Sequence, residues 1–202
     1  MLRWARGIRS LARSPDDPDR ADDRDDGTMT ATLSPELEAT LREIFERRDR
    51  ANMQPTIDEF LAVLADHPGD PYVLYEVGGS YDTAGEEETA LGYYEQALAA
   101  GLAGDPLRRC LLQYGSTLRI LGRMDDSLAA LDRARAEYPD SESVRLFHAL
   151  GLHAAGRSDA AVGELLAFAA DTVRTPDVLR YEAALRGNAG YLLALDEERS
   201  GA

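Results

Sequence analysis

Lysine is absent from this 202-residue chain: its 22 fixed cations are all arginine, and they face 37 Asp and Glu for a formal net charge of −15. A surface this acidic repels nucleic acid and anionic membrane alike, so neither is an expected partner. Without lysine a P-loop cannot be built, and the run GEEETALG also lacks the preceding strand that a phosphate loop needs. A single cysteine, Cys110, excludes an internal disulfide framework and any multi-cysteine metal site, and it fits a reducing cytoplasm. No Gly-x-Ser-x-Gly elbow occurs, and the separation of His67 from His148 gives no metal-binding cluster. No apolar run approaches the roughly 20 residues that a membrane-spanning helix requires. Cofactors and metals are therefore not expected. What remains is a chain with 44% hydrophobic residues, enough to build a core, in an Ala-, Gly- and Arg-rich composition of the kind that high-GC coding produces.

The opening stretch MLRWARGIRSLAR is cationic but has no continuous apolar segment of the secretory type. It runs into SPDDPDRADDRDDGT, which carries no apolar anchor, and residues 1–30 are expected to form a disordered tail. Met29, directly before the first well-formed helix signal, is an alternative start of translation.

The middle of the chain is periodic. Small residues Gly78, Gly115 and Ala149 serve as anchors, 37 and then 34 residues apart. Seven residues after them stand Gly85, Gly122 and Gly156; twelve after, Ala90, Ser127 and Ala161; sixteen after, Tyr94, Leu131 and Leu165. A small anchor allows a second helix to approach closely, and the glycine seven later supplies the positive φ that ends the first helix. Positions twelve and sixteen are four apart and share one face of that second helix. The second helices open on Glu86-Glu87-Glu88, Asp125-Asp126 and Asp159, acids suited to the positive end of a helix dipole. Each period thus predicts a helical hairpin, with the extra residues of the longer interval falling in GLAGDPL, a Gly- and Pro-punctuated connection.

In LYEVGGSYDTAGEEETALGYYEQAL, the residues Leu74, Val77, Gly78, Tyr81, Ala90 and Tyr94 occupy the offsets of a 34-residue tetratricopeptide signature. Leu111, Tyr114, Gly115, Leu118, Leu131 and Pro139 do so in the next unit, while the third departs at Arg145 and Val173. The chain resembles tetratricopeptide repeat proteins over residues 71 to about 172. YDTAG, GLAG, GSTLRILGR and AAGRSDAAVGELL make it most similar to the bacterial tetratrico peptide repeat group 5 family. The resemblance implies an all-α, right-handed α-solenoid whose concave face binds a protein or peptide without catalysis.

Helices are expected on both flanks. Ser34-Pro35-Glu36 is a cap followed by proline in the first turn, with Leu37, Leu41, Ile44 and Phe45 as an apolar stripe. Ile57, Phe60, Leu61 and Leu64 form a second stripe ending at His67-Pro68-Gly69, so residues 31–69 read as a degenerate hairpin before the three repeats of 70–172. Thr175-Pro176-Asp177 starts a helix through about Asp196, and residues 173–202 are expected to supply a capping helix and a short tail.

Arg119, among leucines, is the cation that this architecture explains. Asp82, Arg119 and His153 each stand four residues after an anchor, and the resemblance places them in a row on the concave surface. Tetratricopeptide geometry adds Tyr72, Tyr75, Arg109, Leu112, Ser116 and Leu150 as candidate contacts, with Arg109 and Arg119 suited to a ligand carboxylate. An Asp82–Arg119 ion pair between neighbouring repeats is the structural alternative, and both roles can hold together. A serine-hydrolase reading of Ser116 and His153 with Asp82 fails on spacing. Packed helices lie about 8–10 Å apart, and the three residues fall on three successive repeats with serine in the middle. The asparagine and lysine of carboxylate-clamp domains are missing, their positions held by Gly79, Ser116 and Leu150, and by Tyr75, Leu112 and Arg145. Cys110 follows Arg108 and Arg109 at a helix start, where a thiolate could be stabilised, but a small packed thiol is the simpler reading. A homo-oligomer, or a groove that receives the acidic tail in cis, is the alternative to an external partner.

Overall fold

The computed structural model describes residues 33–200, and the expectations for residues 1–30 lie outside them. Among the described residues ten helices follow one another: α1 Pro35–Arg47, α2 Gln54–Asp66, α3 Pro71–Ala84, α4 Glu87–Ala99, α5 Gly104–Ile120, α6 Met124–Glu137, α7 Glu142–Ala154, α8 Ser158–Thr172, α9 Pro176–Arg180 and α10 Glu182–Ser200. No strand occurs among the described residues.

Three hairpins, α3–α4, α5–α6 and α7–α8, are closed by the same turn. Gly85, Gly122 and Gly156 have φ of 80°, 79° and 80°. Their N–H groups bond to Asp82, Arg119 and His153 carbonyls, and the next residues, Glu86, Arg123 and Arg157, reach back to Tyr81, Leu118 and Leu152. These paired bonds satisfy carbonyls that a helix end otherwise leaves open, and they require a left-handed residue where only glycine sits without strain. Asp70, Ser141 and Ser34 open α3, α7 and α1 by accepting hydrogen bonds from first-turn N–H groups.

The anchors behave as seats. A Cβ on Gly78 would stand 2.8 Å from the Tyr94 ring, and one on Gly115 2.8 Å from Leu131 Cγ. Tyr94 and Leu131 are fully buried. Leu131 also reaches forward, because a Cβ on Gly151 of α7 would meet its Cδ1 at 2.7 Å. One side chain therefore locks its own hairpin and the following one. Ser127 Oγ donates to the Gly115 carbonyl at 2.6 Å in the same buried junction. The third hairpin departs from this plan: Leu165, sixteen after its anchor, is 43% exposed. Ala149 already carries the methyl that the glycine anchors omit, so no bulky side chain can take that seat.

Two flanking expectations are corrected. In α1, Leu37, Leu41 and Ile44 are buried, but Phe45 is 41% exposed, one position beyond the buried stripe. The single helix expected from Pro176 is two, because the chain turns at Tyr181 (φ −109°, ψ 9°), whose N–H bonds to Val178. α10 then lies back on α8, where a Cβ on Gly163 would meet the Ala189 carbonyl at 3.0 Å and Leu193 at 3.1 Å. Arg157 Nε and Nη2 hold the buried Asp196 of α10 at 2.8 and 2.6 Å, pinning this terminal helix to the α7–α8 turn.

Candidate functional site

The first helices α3, α5 and α7 stack side by side, and α1 approaches α3 from the N-terminal end. On their shared face lies a groove of about 380 Å³ lined by Phe45, Tyr75, Asp82, Arg109, Leu112, Gln113, Ser116 and Phe147. Five sequence-derived candidates line it together: Tyr75, Asp82, Arg109, Leu112 and Ser116. The other four lie elsewhere. Tyr72 packs between the α1–α3 and α3–α7 cores. Arg119 stands beside the groove, its Nη2 3.5 Å from Ser116 Oγ. Leu150 is 48% exposed on α7, and His153, also exposed, turns Nδ1 toward Ser158 Oγ at 3.4 Å.

Arg119 makes no ion pair among the described residues, so the Asp82–Arg119 bridge is not formed. Asp82 is occupied differently. Thr117 Oγ1, from the next hairpin, stands 2.9 Å from Asp82 Oδ1 as donor. Burial raises the Asp82 carboxyl above its ordinary range, with the Thr117 bond working the other way. The same carboxylate is the charge that acts most on the buried Tyr94 phenol, which is itself pushed up by burial. Asp82 therefore ties α3 to α5 through a hydroxyl and leaves Arg119 available. Arg109, by contrast, is held by Asp105 at 2.7 Å.

Ser116, His153 and Asp82 are not brought into a relay, since each has a different neighbour. Burial drives the Cys110 thiol up to about 12, leaving it protonated and inert. His148, at a core offset, is buried with Nε2 2.8 Å from Asp132 and Nδ1 2.8 Å from Glu164, and Arg135 also pairs with Glu164. Burial pulls its pKa below the ordinary value against the Asp132 bond. The cluster joins α6, α7 and α8. Among the described residues no group of three or more His, Cys, Asp or Glu side chains could hold a metal ion, and no helix is long and apolar enough to cross a membrane.

Phe45, Gln113 and Phe147 line the groove without having been singled out from the sequence. Phe45 belongs to the apolar stripe expected of α1, and its ring carries the Arg48 guanidinium 3.5 Å from the centroid. Phe147 and Gln113 carry no motif, and only the stacking of α5 and α7 brings them to this face.

Antiparallel helix pairs repeated along the chain, each seated on the next and closed by a terminal helix, define a helical-repeat solenoid, a class that presents binding surfaces. A family model described as tetratrico peptide repeat matches residues 71–189, more than half of the chain. The protein belongs to this family, group 5. The match continues past the third hairpin into α10, beyond the limit near residue 172 expected from the repeat pattern. Comparison with curated proteins gives no match.

Proposed function

We propose that the groove across α1, α3, α5 and α7 binds a segment of a partner protein, without catalysis, in the cytoplasm. The carrying observation is a groove of about 380 Å³ walled by Phe45, Tyr75, Leu112 and Phe147, with Arg119 at its side making no ion pair among the described residues. Aromatic walls supply contact area at low entropic cost, and a guanidinium free of ion pairs can take a carboxylate through two donors. The partner segment is apolar and carries an acidic group that meets Arg119. Repeat family and fold support a protein-binding scaffold; the groove supports this particular face.

Affinity capture from native lysate with wild type and Arg119→Ala side by side, both checked by circular dichroism, tests the reading. A partner retained by wild type and lost by Arg119→Ala is the expected result. Equal capture with folding intact would remove Arg119 from the binding role. Self-association through the C-terminal end is a second reading, favoured by the exposed Leu179 of α9, Tyr181 of the turn and Tyr191 of α10. A monomer in light scattering at high concentration would sink it.

A further inference from the structure

Beyond the groove lies a smaller recess of about 100 Å³, bounded by Phe45, Arg48, Tyr75, Glu76, Ser80 and Gln113. Phe45, Tyr75 and Gln113 line both spaces, so the recess adjoins the groove. Two of its polar groups lack what they need. The Gln113 Oε1 atom is out of water and has no hydrogen-bond partner among the described residues. The Glu76 carboxylate makes no hydrogen bond among the described residues, and burial pushes it up to about 7. Both can accept; the Gln113 oxygen, out of water, is costly until a donor arrives, while the half-buried Glu76 carboxyl keeps some contact with solvent.

The cations around the recess do not supply that donor. Arg48, from the α1–α2 loop, donates to the Phe45 carbonyl and lies over the Phe45 ring. Arg109, on α5, is held by Asp105, and Arg50 is exposed. Arg109 and Arg48 do pull the Glu76 carboxyl down, yet burial outweighs both. Tyr75, beside it on α3, is itself raised by burial and by Glu76, so its phenol stays protonated. The recess is thus lined by a carboxyl raised by burial, by an amide oxygen that has no donor among the described residues, and by the Phe45 and Tyr75 side chains.

We propose that this recess receives a basic side chain, arginine or lysine, of the segment bound in the groove. The cation pairs with Glu76, a second N–H reaches Gln113 Oε1, and the aliphatic stem lies between Phe45 and Tyr75. The formal charge of −15 favours approach of a cation to this protein. Arrival of the cation drives Glu76 to ionise, so binding near neutral pH releases a proton. The inference rests on the groove reading and adds a basic side chain to the acidic group that meets Arg119.

The test titrates the full chain, isotopically labelled, with blocked tetrapeptides Ac-Phe-Xaa-Leu-Asp-NH2 in which Xaa is arginine or norleucine. Resonances of the Leu112 methyls report the groove; those of the Glu76 carboxyl and the Gln113 side-chain amide report the recess. The arginine peptide should shift all three, bind about tenfold more tightly than the norleucine peptide, and lose that advantage in Glu76→Gln. Gln113→Leu should erode the same advantage, which keeps the test available if Glu76→Gln misfolds. Equal affinities with Leu112 still responding would overturn the recess and leave the groove. No response at Leu112 with either peptide would overturn both.

Discussion

Glu76→Gln should stabilise the fold, and by more the higher the pH. Burial raises the Glu76 carboxyl from 4.5 to about 7, against the pull of Arg109 and Arg48. A carboxyl that ionises less readily folded than unfolded removes stability as pH rises through that interval. The unfolded chain gives up its proton near 4.5, while the folded chain must surrender the same proton at a cost. At about 1.4 kcal/mol per pH unit, the loss is about 1 kcal/mol near pH 5 and about 3 kcal/mol near pH 8. Glutamine cannot ionise, so the stability gained by the variant should grow by about 2 kcal/mol between those two conditions. Urea unfolding of both proteins at several pH values measures this difference. Asp82, also raised, and His148, lowered, titrate in both chains and cancel in the subtraction. A difference that stays flat with pH, or a variant less stable near pH 8, would refute the buried-carboxylate argument and weaken the recess built on it.

Inside the helices, glycine should matter at the seats and not at open positions. Gly78→Ala gains about 1 kcal/mol of helix propensity but drives a Cβ to within 2.8 Å of the buried Tyr94 ring, an overlap that costs about 1–3 kcal/mol. Gly92→Ala, with nothing within 4 Å, should simply gain about 0.5–1 kcal/mol, and equal urea midpoints for the two variants would contradict the seat. Thr117→Val should cost about 1–3 kcal/mol, because Asp82 loses its donor from the next hairpin; an unchanged midpoint would show that water replaces it. Arg157→Ala leaves the buried Asp196 without its two bonds, so α10 should exchange its amide hydrogens faster than α3 does, and uniform exchange would refute this.

The periodicity of the sequence revealed the hairpins because the same two constraints recur at fixed spacing: a left-handed residue to end a helix and a vacancy to seat a ring. Both are local enough to be written in residue type, which is why Gly85, Gly122 and Gly156, and the pairs Gly78–Tyr94 and Gly115–Leu131, were readable. Phe45 was not. An apolar period says which residues share a face of α1, but exposure of a position at its edge depends on how α1 meets α3. Glu76 and Gln113 were invisible for a related reason: neither belongs to a motif, and the recess exists because residues 48–53 lie over α3.

Where the pattern fails, the failure has its own logic. Ala149 is buried and carries the methyl that Gly78 and Gly115 lack, and Leu165, sixteen residues on, is 43% exposed. The vacancy reappears at Gly163, where the Ala189 carbonyl and Leu193 of α10 approach α8. A glycine that in the first two hairpins admits a side chain of the hairpin's own second helix here admits a terminal helix instead. The open position has moved from the first helix of the hairpin to the second, and α10 packs on the face of α8 that carries it.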